Sequence, residues 1–319
     1  MNTQRVLSFV ALCAILSCPS AARTTAPAPT QLPFTLKPLG HGVYAAIDDA
    51  KGNSGANAGF IIGDDGVAVI DTFEHEAAAK ALLAEIRRLT PLPIRFVINT
   101  HYHLDHVAGN KLFKDAGAVI IAQRNVGAWI HTENLKFFGK NIKPEQRAEV
   151  ENLADPDVLY DASLELRLGA RRIEMRFYPG HTGGDSVVRV PDAGVTFCGD
   201  LFWHKTLPNL IDATTSAWTT TLSTILSGQR NDIFVPGHGD VGDAEDVSAF
   251  RGYLTDLREW IALRAKEGKS GDDLVTAVTP DLTKKYGEWN FFKYFAKRNV
   301  LDMAAEIRGD KRIPQPVGD

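Results

Sequence analysis

His101-Tyr102-His103-Leu104-Asp105-His106-Val107-Ala108-Gly109-Asn110 is the stretch on which the reading of this chain turns. Three histidines and an aspartate fall within six positions. Imidazole nitrogen and carboxylate oxygen are the donors that zinc and neighbouring first-row metals accept. Spacing matters as much as composition. In an extended segment alternate side chains point the same way, so His101 and His103 can grip one ion. Asp105 and His106 follow where the chain turns and can face a second. The stretch comes directly after Ile94-Arg95-Phe96-Val97-Ile98, a short apolar run that reads as a buried strand. A rigid strand delivering ligands into a loop is a common way to build a site.

Three further donors sit in similar settings. His181 lies in Tyr178-Pro179-Gly180-His181-Thr182-Gly183-Gly184-Asp185, Asp200 in Thr196-Phe197-Cys198-Gly199-Asp200-Leu201, and His238 in Val235-Pro236-Gly237-His238-Gly239-Asp240. Each follows a short apolar, β-rich run, and each has a glycine immediately before it. Glycine permits tight turns and close backbone approach, which helps to crowd several ligands around one point. One such segment alone reads as a structural turn; four of them in one chain point to a metal centre.

These residues resemble the signature of the metallo-β-lactamase superfamily, His-x-His-x-Asp-His followed by a distant His, Asp and His. His101, His103, Asp105, His106, His181, Asp200 and His238 match it completely and in order, within a resemblance that spans roughly residues 40 to 265. The resemblance implies that His101, His103 and His181 hold one metal, that Asp105, His106 and His238 hold a second, and that Asp200 bridges them. It implies two zinc ions, with iron and manganese accepted by the same donors. It also places Asp71, in Val69-Ile70-Asp71-Thr72, where a carboxylate supports a metal-site histidine. The implied chemistry is that of a metal-bound hydroxide formed near neutral pH, with the second ion polarising a carbonyl or holding a leaving group. Asp105 is the catalytic candidate, orienting the nucleophile or accepting its proton. The implied fold is a four-layer αββα sandwich.

The remaining pattern agrees with an α/β architecture. Residues 43–47, 58–62, 67–70, 119–121, 164–168, 173–178, 186–190, 195–197 and 233–235 read as strands. Residues 74–89 have helical spacing, with Ala78, Leu82, Leu83 and Ile86 on one face, and 216–226 and 244–266 also read as helices. Two strand-rich halves with helices outside fit two packed sheets. We divide the chain into a leader over 1–22, a flexible tether over 23–39, a metallo-hydrolase domain over 40–268 and a helical C-terminal extension over 269–319.

The leader is a secretory pattern. A positive start at Arg5 precedes an apolar run from Val6 to Leu16, too short to span a bilayer as a helix, and small residues follow up to Ala22. Ile15-Leu16-Ser17-Cys18 also resembles a lipoprotein box, with Leu16 a departure from it. The expected location is periplasmic or secreted, with a lipid anchor at Cys18 as the one route to a membrane. Outside the leader only Cys198 remains, in an apolar run that reads as a buried, inert thiol.

Composition narrows the partners. The 319 residues carry 44% hydrophobic and 23% charged residues, ordinary values for a globular protein, and the net charge of -4 argues against nucleic acid. No Gly-x-x-x-x-Gly-Lys-Ser/Thr loop is present, and no nucleotide cofactor is expected. A small molecule is the expected substrate. Asp200 favours the glyoxalase II-like branch, which implies an exported hydrolase of an ester, thioester, lactone or amide. The alternative is a β-lactamase of the cysteine-free subclass, which usually carries serine where Asp200 lies. A flavodiiron-type oxidoreductase is a third reading, but it would carry a glutamate in the first motif, where position 103 is His, and a flavodoxin domain. Around the site, residues 123–160 with Trp129, Phe137 and Phe138 read as either a cap over the metals or a surface helix. Trp203 and His204 read as pocket candidates, and the aromatic tail 271–308 as a packed helical addition or subunit contact rather than a pocket wall.

Overall fold

Two β-sheets carry the ligand segments. The computed structural model describes residues 31–49 and 51–315. The leader, its Cys18 and Ala22 features, and the first part of the tether lie outside the described residues. The first sheet holds β1 (Phe34–Gly40), β2 (Val43–Asp48), β3 (Ala58–Ile62), β4 (Val67–Ile70), β5 (Ile94–Ile98), β6 (Val119–Gln123) and β7 (Val158–Tyr160) in that spatial order. Pairing is antiparallel from β1 to β4 and parallel from β4 to β7. The second sheet holds β8 (Ser163–Leu168), β9 (Arg171–Phe177), β10 (Ser186–Val190), β11 (Val195–Trp203) and β12 (Ile233–His238) in the order β12-β11-β10-β9-β8. Only its β11–β12 pair is parallel.

Side-chain alternation explains the layering. Along β4, Val67 and Val69 point to a helical layer that includes α1 (Glu76–Leu89), while Ala68 and Ile70 point to the second sheet. The face of α1 that buries Ala78, Ala79, Leu82, Leu83 and Ile86 supplies the outer cover, as the helical spacing predicts. Between the sheets, Ile98 and Ile121 meet Val188, Phe197 and Val235. On the far side, Phe202 and Phe234 pack under α6 (Thr215–Gly228) and α7 (Ala244–Lys266). The result is the αββα sandwich.

Two edge strands differ from the sequence reading. Residues 34–40, placed in the tether by composition, form β1 and pair with β2. Pro38 and Lys37 disguise it, but proline is tolerated on an edge strand, where one side of the backbone needs no partner. β7 is three residues long and was hidden by its polar surroundings. The segment 269–319 is helical, with α8 (Gly271–Tyr286) and α9 (Phe292–Arg308). Leu274, Val278, Val300 and Met303 on these helices share one apolar cluster with Phe250 and Leu257 of α7.

The sheets are joined where the ligands gather. Ser186 N donates to the Thr100 carbonyl at 2.7 Å, and Asn57 Nδ2 donates to the Pro236 and Gly239 carbonyls at 2.9 and 2.8 Å. Polar pairing of this kind holds loop backbones in fixed register. Leu82→Ala should remove about 2–5 kcal/mol of stability by leaving a cavity under the first sheet. Urea unfolding measures that loss, and elemental analysis should show unchanged metal stoichiometry, because the cavity lies on the sheet's helical face.

Candidate metal centre

The donors lie at strand ends, on the same edge of the sandwich. β5 leads through Asn99 and Thr100 to His101, and His103 is the residue before the short helix α2 (Leu104–Val107). The extended backbone at 103 and the helical turn after it split the motif as its spacing predicts. His101 and His103 join one cluster, and Asp105 and His106, on α2, join another. His181 comes from the loop between β9 and β10. That loop is folded on itself by Asp185, whose carboxylate accepts from Thr182 N at 2.8 Å and Thr182 Oγ1 at 2.6 Å. Asp200 lies inside β11, which runs on to Trp203 with irregular pairing to β12. His238 ends β12.

Glycine explains two of these placements. Gly199 has φ +50, and a Cβ there would stand 2.4 Å from Thr100 Oγ1. A Cβ on Gly237 would stand 1.8 Å from Asp200 Oδ1. The chain can bring Asp200 between the two sheets only because neither position carries a side chain.

Two donor groups result. One ligand atom from each of His101, His103, His181 and Asp200 lies within 4.8 Å of the others, and so do those of Asp105, His106 and His238. Asp200 faces both groups. Its Oδ2 is 3.1 Å from His181 Nε2 and 3.7 Å from His101 Nε2. Its Oδ1 is 3.1 Å from His106 Nε2 and 3.5 Å from His238 Nε2. Asp105 Oδ2 closes the second group, 3.2 Å from His238 Nε2.

The donor set fits metal. Among the described residues, His101 Nε2, His106 Nε2, His238 Nε2 and Asp200 Oδ1 are buried and lack a partner of hydrogen-bonding geometry. Buried polar atoms are rarely left so, and four converging in one place suit cations. The protonation pattern agrees. Burial and neighbouring imidazoles hold His101 well below the usual histidine range, as burial does His103, so both present lone pairs. Burial would raise the Asp200 carboxyl, but His238, His106, His181 and His101 together hold it well below its usual value. At His106 and His238 burial is outweighed by the carboxylates. Asp200, Asp105 and Asp71 push His106 well up, and Asp200 and Asp105 raise His238 to about 9. Metal bound there would take the place of protons.

Two further carboxylates orient the ligands. Asp71 sits at φ +54, an uncommon backbone state that asparagine and aspartate tolerate better than most residues. It accepts from Thr100 N at 2.8 Å, Thr100 Oγ1 at 2.7 Å and His106 Nδ1 at 2.8 Å. With Nδ1 so paired, His106 directs Nε2 at Asp200. His101 Nδ1 lies 3.1 Å from Thr100 Oγ1, which leaves its Nε2 for the site. Asp212 was not singled out in the sequence. Its Oδ2 accepts from His103 Nε2 at 3.1 Å and from the Tyr102 hydroxyl, and Lys136 contacts its Oδ1. His103 therefore turns Nδ1 to the site, 3.0 Å from His181 Nε2. No motif marks Asp212, which arrives from a loop 109 residues after His103.

A cavity of about 380 Å³ opens over the centre, with His103, Asp105, Asp200 and His238 in its floor. Phe137 and Phe138, from a 3₁₀ turn over Glu133–Phe138, form one wall, while Trp203, Phe291 and Phe295 form another. The first pair thus lies over the site, as the cap reading had it. The C-terminal aromatics pack on the body and also wall the pocket, the option the sequence reading had ranked last. Trp203 lines the pocket and stacks on His238 at 4.0 Å between ring centroids. His204 is not part of the pocket lining; its Nδ1 donates to the Asp240 carbonyl at 2.8 Å. Cys198 is buried, and burial pushes its thiol up, as an inert role requires. Gly237-x-Gly239-x-x-Gly242 has the glycine spacing of a dinucleotide loop, but Asp243 caps α7 by accepting from Glu245 N and Asp246 N, so a carboxylate stands where a pyrophosphate would bind.

Fold and site together define an αββα protein with two donor clusters sharing one carboxylate. The family model of the metallo-beta-lactamase superfamily matches residues 52–238, a span that includes all seven donors, and the chain belongs to that superfamily. It is 27% identical over 184 residues to the metallo-beta-lactamase type 2 of Bacillus cereus, which covers 56% of this chain and 64% of that protein. It is 23% identical over 273 residues to the linear primary-alkylsulfatase of Pseudomonas sp. (strain ATCC 19151), covering 70% and 51%. With the hydroxyacylglutathione hydrolase of Brucella ovis the identity is 29% over 158 residues, covering 50% and 52%. The chain therefore spans between half and two thirds of the length of these relatives. The solved metallo-beta-lactamase from Pontibacter korlensis superposes with TM-score 0.59 at 20% identity, over 70% of this chain and 99% of that one, a likeness of fold.

Asp71→Asn and Asp212→Asn should each weaken metal binding by about 10–100-fold without unfolding the protein, since each removes the negative charge and one of the two acceptor oxygens of a carboxylate that orients a histidine. Competition with a chromophoric chelator gives the affinity, and circular dichroism the fold.

Proposed function

We propose that this protein is a dinuclear zinc hydrolase acting on a small carbonyl substrate: an ester, thioester, lactone or amide. The observation that carries the reading is Asp200, with one carboxylate oxygen toward each donor group and a cavity above it. His101, His103 and His181 would hold one ion, Asp105, His106 and His238 the other, with Asp200 between them. Two such ions, when bound, supply a water of lowered pKa and a Lewis acid for the carbonyl. The protein's own share is positioning and proton handling. Asp71 and Asp212 hold His106 and His103 in the orientations that face the site. Asp105 has 26% of its side chain exposed and faces the cavity, where it can take a proton from the attacking water and return it to the leaving group.

β-Lactam hydrolysis is the second reading, favoured by the likeness to the Bacillus cereus protein. The leader pattern also leads us to propose export, to the periplasm or beyond the cell. Mass spectrometry of protein from its native host should then find a mature chain beginning at Arg23, or a lipidated one beginning at Cys18. A chain that keeps residues 1–22 would overturn export.

Purified protein should hold two zinc ions and hydrolyse a thioester or lactone, with turnover lost to a chelator. A panel that includes nitrocefin and an alkyl sulfate separates the readings. Dominant β-lactam turnover would install the second one. His103→Ala and Asp105→Ala should each cut kcat by at least about a thousandfold with the fold retained, because each removes a donor from the centre. Near wild-type turnover in either variant would exclude the two-ion mechanism.

A further inference from the structure

The cavity carries more information than the metal donors use. Its walls expose large apolar groups: Phe137 is 39% and Phe291 41% exposed. Phe291 also sits at φ +59, a backbone state that bulky residues rarely adopt. Strain of this kind persists where surrounding structure imposes it, and it gathers at functional sites. Here it precedes α9 and sets the Phe291 ring 6.2 Å from His238 and 5.9 Å from Phe295. On the opposite wall the Phe137 ring lies 5.0 Å from His103. Aromatic groups from two distant segments thus flank the ligand histidines.

The charge of the cavity is equally specific. Among the described residues that line it, no lysine or arginine occurs. Lys136, next in sequence to Phe137, is committed to Asp212, Glu133 and the Tyr102 hydroxyl and is 18% exposed. Glu74 does line the cavity, and its carboxylate forms no hydrogen bond or ion pair among the described residues. Asp105 and Asp200 would be neutralised by bound cations, whereas Glu74 lies outside the donor groups; burial and Asp105 raise its carboxyl above the usual glutamate value, and above that raised pKa it sets an unneutralised negative charge on the cavity wall.

We propose that this cavity is the subsite for the non-reacting end of the substrate, and that it selects an apolar, preferably aromatic, group without negative charge. The inference rests on the hydrolase reading and names the substrate class for it. Phe137, Phe291 and Phe295 contact the group, and Glu74 repels a carboxylate placed among them. Substrates that bring their own carboxylate to this end are disfavoured, because among the described residues the apolar walls away from the metal donors offer no lysine or arginine to receive it.

Two phenylacetyl thioesters with the same thiol, para-substituted with tert-butyl or carboxylate, test this on the full zinc-loaded chain. The tert-butyl compound should show a kcat/KM at least about tenfold higher, the size expected of one unreceived charge near an apolar wall. Phe291→Ala should raise its KM by about fivefold, an effect typical of one lost aromatic contact. Glu74→Gln should improve turnover of the carboxylate compound and narrow the ratio. Equal or preferred use of the carboxylate compound by the wild type would overturn the proposal, and so would a ratio untouched by Glu74→Gln. If neither thioester is cleaved, the hydrolase reading is decided by the wider substrate panel, and binding decides the subsite. Equilibrium dialysis should then show 4-tert-butylbenzyl alcohol bound in preference to 4-carboxybenzyl alcohol, and the preference reduced in Phe291→Ala. Equal binding would sink the subsite as well.

Discussion

A carboxylate buried between two sheets is the constraint around which this protein is arranged. Asp200 is 3% exposed and ionised, a condition that would be prohibitive without compensating positive charge. Four imidazoles surround it, two toward each oxygen, and the arrangement is complete when cations fill the two donor groups. Much else follows from that need. Gly199 and Gly237 clear the space, the parallel pairing of β11 with β12 brings Asp200 and His238 to the same edge, and Ser186 and Asn57 keep the two sheets in register beside it.

The supporting layer divides the work between two carboxylates. Asp71 sets the ring of His106 and, through Thr100, that of His101. Asp212 sets His103. The second of these also ties Tyr102 and Lys136 to the centre, and Lys136 belongs to the turn that carries Phe137 and Phe138. The wall of the cavity and the orientation of one ligand are therefore fixed by the same buried cluster. Part of the substrate pocket is in this way built outward from the metal site.

How much could be read beforehand depended on distance along the chain. The seven donors were legible because four fall in one six-residue run and each of the others follows its own glycine and strand. Long strands and amphipathic helices such as α1 and α7 announce themselves by period, since one face of each must be buried. β1 and β7 did not, because edge strands are short or polar and proline is allowed there. Asp212, Glu74 and Phe291 carry no local signature at all. Each acquires its role only from what the fold sets beside it: a histidine 109 residues away, a cavity floor, an aromatic wall.

By itself the sequence determined the donor types, their order, and the strand and turn that present them, because ligand chemistry and backbone period are local properties. Only the tertiary structure decided that Asp200 faces both groups, which nitrogen of each histidine points inward, and that the C-terminal aromatics close the cavity. Those outcomes depend on contacts between segments far apart in the chain, where packing of the whole sandwich selects one arrangement and no short stretch of residues encodes it.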